Sequence, residues 1–136
     1  MNVKHYPIII ERGENDAGEV GFGGFFPDLP GCVSGGDSLG EALRNAEKAL
    51  VLHIGAMVRD GEDIPAPSRF GEIGHDQEVD EVLRALVRVD VPAKWVTVNV
   101  SMAETLLQRI DVTAREIGMT RSGFLMEAAR RMVEPI

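Results

Sequence analysis

A chain of 136 residues can hold one medium domain or two small ones, and a hydrophobic share of 44% is enough for a packed core. Asp and Glu outnumber Lys and Arg by 22 to 14, which excludes a uniformly basic nucleic-acid binder, and the single cysteine, Cys32, excludes an internal disulfide. No apolar stretch reaches the ~20 residues of a membrane helix and no charged leader precedes a long apolar run, so a cytoplasmic protein is expected; His5, His53 and His75 are too scattered for a metal site.

Val3 to Glu11 predicts a first strand, with Tyr6-Pro7-Ile8-Ile9-Ile10 inside it and the proline favouring an edge position or the strand's start. Arg12 to Gly18, rich in glycine, asparagine and aspartate, predicts a hairpin turn. Glu19 to Phe26 then returns, its glycines marking a bulge or the close approach of another backbone. Pro27-Asp28-Leu29-Pro30-Gly31 breaks that strand, and Cys32-Val33-Ser34-Gly35 makes a third. Asp37 and Ser38 can each cap a helix, with Ser38 and Glu41 at capping-box spacing; Leu39, Ala42, Leu43, Ala46, Leu50, Ile54 and Met57 line one side of it as far as Asp60-Gly61. Residues 61–74, with Pro65 and Pro67, read as linker-like, and Asp76 to Arg84 as room for a short acidic helix. Ala85 to Val91 alternates with a period of two, a fourth strand, and Pro92 closes a first domain over residues 1–92.

Residues 93–136 form a second domain. Val96, Val98, Val100 and Met102 fall on every second position with Thr97, Asn99 and Ser101 between them, which predicts a strand with one apolar and one short polar face. Leu106, Leu107, Ile110, Ala114 and Ile117 follow at helical spacing, Gly118 permits a left-handed exit, and Thr120 can cap a second helix bearing Phe124, Leu125, Ala128, Ala129, Met132 and Val133. A lone strand cannot satisfy its own edge, so a second copy is required. The expected solution is a two-fold homodimer, or a higher oligomer built on it, whose antiparallel ribbon keeps the valines against the helices and turns Thr97, Asn99 and Ser101 outward. Charge is divided to match: residues 1–90 hold 17 acids and 8 bases, residues 91–136 hold 5 and 6, with Lys94, Arg109, Arg115, Arg121, Arg130 and Arg131 available for a local basic surface.

The alternating strand, Leu106-Leu107-Gln108-Arg109-Ile110-Asp111, and Gly118-Met119-Thr120-Arg121-Ser122 before Phe124-Leu125 resemble the ribbon-helix-helix (β-α-α) family, whose paired strands enter the DNA major groove. The hairpin, Phe26-Pro27-Asp28-Leu29-Pro30-Gly31-Cys32, the glycine-serine turn and the long helix resemble the N-terminal domain of HicB-type antitoxins, a partial, catalytically inert RNase H-like ββ-β-α-β domain. The fold implied is α+β, the two domains in that order. The resemblance implies an antitoxin of a type II toxin-antitoxin system that binds and neutralises a HicA-type mRNA-cleaving toxin and represses its own operon. It carries base contacts with operator DNA to Thr97, Asn99 and Ser101, of which Asn99 suits adenine, and phosphate contacts to Lys94, Thr120, Arg121 and Ser122. Ser101 also fits a capping box with Glu104, Gly123 stands where the family often has glutamate, and no outward arginine or lysine serves guanine.

No enzyme and no cofactor are expected. An RNase H mechanism needs carboxylates converging on two metal ions, whereas the strand positions are apolar and Glu11, Glu19, Asp28, Asp37, Glu41 and Glu47 read as capping and solubility. The acidic first domain suits a partner that must itself be basic to hold RNA, with Phe25, Phe26, Asp28 and Leu29 as candidate toxin contacts, one of the two phenylalanines being core. The alternative is a ligand-sensing ribbon-helix-helix repressor.

Overall fold

The computed structural model describes residues 2–134 and is α+β, a four-stranded antiparallel sheet with three helices. Strands β1 (Val3–Glu14), β2 (Val20–Phe25), β3 (Val33–Gly36) and β4 (Glu81–Asp90) lie in the order β3-β2-β1-β4, and α1 (Leu39–Arg59) contacts β2, β3 and β4. The chain divides into two units, Met1–Trp95 and Val96–Ile136.

In the first unit alternation decides which side chains meet the helix. Tyr6, Ile8 and Ile10 of β1 and Val87 and Val89 of β4 share a core with Ala42, Ala46, Leu50 and Ile54 of α1. The alanines let the helix come close. A Cβ on Gly36 would lie 2.7 Å from the Ala42 nitrogen, and one on Gly24 would lie 2.6 Å from Ser34 Oγ and 2.9 Å from Ile8 Cδ1, so these strand glycines answer to the approach of neighbours. Ser38 caps α1, its hydroxyl accepting from the Glu41 amide at 3.2 Å.

Three expectations change in the first unit. Pro7 lies in an interior strand, not an edge strand; however, β2 pairs with β1 only from Ile9 onward, so beside Pro7 only β4 is present and the missing amide interrupts no second ladder. No helix forms between 76 and 84. A short 3-10 turn occupies Phe70–Glu72 and β4 begins four residues early, at Glu81, because Leu83 and Ala85 pair with Ile10 and Ile8 and add to the core face. Residues 61–74 are also not a free linker. The Tyr6 hydroxyl donates to the Pro65 carbonyl, Asp28 accepts from the Ser68 amide (2.8 Å) and hydroxyl (2.5 Å), and Arg84 donates to the carbonyls of Phe70, Ile73 and Gly74. The segment is a strap fastened at three points.

In the second unit α2 (Glu104–Glu116) and α3 (Arg121–Val133) are joined through Gly118 at φ +74°, where the Met119 amide returns to the Ala114 carbonyl at 2.8 Å. Ala103 occupies the cap position of α2 without a side-chain bond, so Ser101 does not cap it. No strand is present between 91 and 103 among the described residues, and Val96, Val98 and Val100 are each 71% exposed. A strand exists only through a partner strand, and a single chain offers this segment none.

Candidate functional site

Two sets of residues were singled out by sequence; the candidate toxin contacts lie in the first unit, and the candidate DNA contacts lie in the second except for Lys94. In the second unit Thr97, Asn99 and Ser101 are all exposed, with no hydrogen bond to another part of the described chain drawing on their side chains. Lys94, placed with the first unit, borders a recess of about 750 Å³ shared with Glu62, Asp63 and Asp90. Thr120 is occupied locally: its Oγ1 accepts from the Gly123 amide at 3.0 Å and caps α3. Gly123, where a glutamate would give the reciprocal half of a capping box, leaves the arrangement one-sided. Ser122 is exposed in the first turn of α3.

Arg121 is not free. Its Nε and Nη2 donate to the two oxygens of Asp111 at 2.8 and 2.7 Å, a side-on bidentate pair bridging α2 and α3. The hydrogen bond from Arg121 holds the Asp111 carboxyl below the usual aspartate range, and the same bond raises the guanidinium further. Glu127 similarly accepts from Arg130 at 2.8 Å and Arg131 at 3.1 Å. Three of the six bases proposed for a basic surface are therefore paired within the chain, against two carboxylates. The Glu127 pairs were legible as i,i+3 and i,i+4 neighbours on one helix. The Asp111–Arg121 pair spans a turn and two helices, and no spacing rule announces it.

The Phe26-to-Cys32 segment serves the fold. Leu29 donates to the Phe26 carbonyl, Cys32 to the Leu29 carbonyl and Phe26 to the Cys32 carbonyl, with Gly31 at φ +86°. This closed turn sends Phe26, Leu29 and Cys32 inward, where they are 2%, 1% and 2% exposed, and burial pushes the Cys32 thiol up. Asp28 is committed to Ser68. Of the four candidate contacts for a partner protein, Phe26 and Leu29 are thus withdrawn into the core and Asp28 is engaged. Phe25 remains half-buried on the sheet face away from α1, in one cross-strand row with Val33 and Ile9. Val33 is 62% exposed. Among the described residues no three His, Cys, Asp or Glu side chains gather where they could hold a metal ion, and no helix is long and apolar enough to cross a membrane.

An acidic sheet-and-helix unit followed by a two-helix unit with bare valines defines the class as a two-unit α+β chain. The family model for HicB-like antitoxins of bacterial toxin-antitoxin systems matches residues 6–129. The chain belongs to that family. It is 34% identical over 129 residues to an uncharacterised 14.9 kDa protein of Haemophilus phage HP1, covering 91% of this chain and 93% of that one. The crystal structure of the Burkholderia pseudomallei antitoxin HicB is similar over 96% of both chains, with 31% identity and a TM-score of 0.53. A chain of a HicA3 and HicB3 toxin-antitoxin complex matches 63% of this chain and 98% of its own length, with 31% identity and a TM-score of 0.50.

Proposed function

We propose that this HicB-type antitoxin holds a HicA-type, RNA-cleaving toxin through its acidic first unit and represses its own operon through its second unit, as a ribbon-helix-helix homodimer. The observation that carries the DNA-binding half is the row of Val96, Val98 and Val100, each 71% exposed, preceding two helices that bury only Ile110 and Ala114. So little burial does not sustain a forty-residue unit. Pairing two such segments antiparallel places the valines over the helices of both copies and turns Thr97, Asn99 and Ser101 toward the major groove.

The first unit is read as a partial RNase H-like fold without catalysis. Its interior strand β1 carries Ile8, Ile9 and Ile10 at its centre, with Glu11 and Glu14 following toward its end. Its 17 acids against 8 bases in residues 1–90 favour encounter with a basic partner, and exposed Val33 beside half-buried Phe25 offers apolar contact. The membership in an antitoxin family and the likeness to a chain from a HicA3 and HicB3 complex support a toxin as that partner.

The test is co-expression with the product of a small basic reading frame beside the gene, followed by RNA cleavage with and without this chain. Co-purification and suppressed cleavage are expected. For the second unit, Asn99→Ala is expected to weaken operator binding roughly tenfold, in keeping with ~1–3 kcal/mol for a bidentate adenine contact. The dimer should persist in sedimentation, and unchanged affinity would refute the base contact.

A further inference from the structure

The Asp111–Arg121 pair bears on how tightly the second unit holds a duplex, an inference that rests on the DNA-binding reading above. Arg121 occupies the first position of α3, where the helix dipole already presents positive charge and where the amides of Arg121 and Ser122 precede the capped Gly123 amide. A phosphate approaching this corner would be met by amides, by the Ser122 hydroxyl and by a guanidinium. Asp111, however, sets a carboxylate on the Nε–Nη2 edge, with the same bidentate geometry that a phosphate would use.

We propose that Asp111 is an internal competitor for the phosphate-clamping arginine, an affinity-setting residue that keeps duplex binding weaker than the cations of this unit would otherwise allow. The pair is half-open to solvent, Arg121 at 54% and Asp111 at 32%, so the carboxylate blocks the arginine while remaining accessible to exchange. Nearby Arg115 also acts on Asp111 through its charge, so removing the carboxylate releases the field of both arginines. The effect should be independent of base sequence, because the contact it frees is to backbone phosphate.

The experiment uses the full chain and two duplexes, the region upstream of its own coding sequence and a scrambled version, titrated by fluorescence anisotropy across a salt series. Asp111→Asn is expected to tighten both duplexes by about tenfold at ~0.1 M salt and to steepen the log–log salt slope by about 1.8 for a dimer, one added phosphate per subunit. Asp111→Glu, which retains a carboxylate, should bind like the natural chain. In the Asp111→Asn background, Arg121→Ala should erase the gain. Circular dichroism and sedimentation check that each variant keeps its helices and its dimer. Unchanged or weaker binding by Asp111→Asn, with the natural chain binding DNA, overturns the inference alone; so does a gain that survives the loss of Arg121. A natural chain that binds neither duplex overturns the DNA-binding reading and this inference with it.

Discussion

Phe25 and Phe26 are adjacent in sequence and opposite in fate. A strand turns successive side chains to opposite faces, and β2 ends where the turn to Cys32 begins, so Phe26 enters the core at 2% exposure while Phe25 stays on the outer face beside Ile9 and Val33. Their substitutions should separate stability from recognition. Phe26→Ala is expected to lower the unfolding free energy by about 3–5 kcal/mol, read by urea denaturation, because it leaves a cavity beneath α1. Phe25→Ala should leave the denaturation midpoint nearly in place and weaken toxin binding by calorimetry. A toxin affinity indifferent to Phe25 would move the contact elsewhere on the acidic unit. The pattern shows what sequence offered here: it established that one phenylalanine is core, but choosing which required the register of β1 and β2.

At the scale of elements, the strap of residues 61–74 is the main departure from the sequence reading. Two prolines and two terminal glycines suggested slack chain, and nothing local reveals that Tyr6, Asp28 and Arg84 fasten it, since the partners are separated by 59, 40 and 10 to 14 positions. Arg84 is 14% exposed in its side chain, projects from the sheet face away from α1, and divides its donors between Glu81 and three carbonyls. Arg84→Met keeps most of the stem while removing every donor. It is expected to cost about 1.5–3 kcal/mol, the range for hydrogen bonds to a charged group. Amide exchange should quicken around residues 70–75 before it quickens in α1. Uniform quickening in both would show that the strap and helix open as one body.

At the scale of the whole molecule, the two units differ in self-sufficiency. Among the described residues the first buries thirteen in one cluster across the sheet and α1, whereas the second buries two. Val98 makes the contrast testable, because at 71% exposure in one chain a charge there would be nearly harmless to a monomer, within about 0.5 kcal/mol. In a ribbon dimer the same position lies between the strands and the helices. Val98→Asp is therefore expected to give monomers by analytical ultracentrifugation, with loss of duplex binding and an intact first unit by tryptophan-independent far-ultraviolet circular dichroism. A dimer that tolerates the aspartate would place the contact between copies in another part of the chain.

The sequence by itself determined the four strands of the first unit, the long capped helix and its core face, the two helices of the second unit, the glycine exit at Gly118 and the Thr120 cap, because each depends on periodicity or on a turn of chain close at hand. The α+β class and the family resemblance followed from those local patterns. Only the tertiary structure decided that Phe26 and Leu29 are core, that Pro7 sits beside an absent ladder, that the linker is strapped down and that Asp111 holds Arg121. These depend on which distant residues share a face or a corner, and distance along the chain carries no record of that until the sheet and helices have packed.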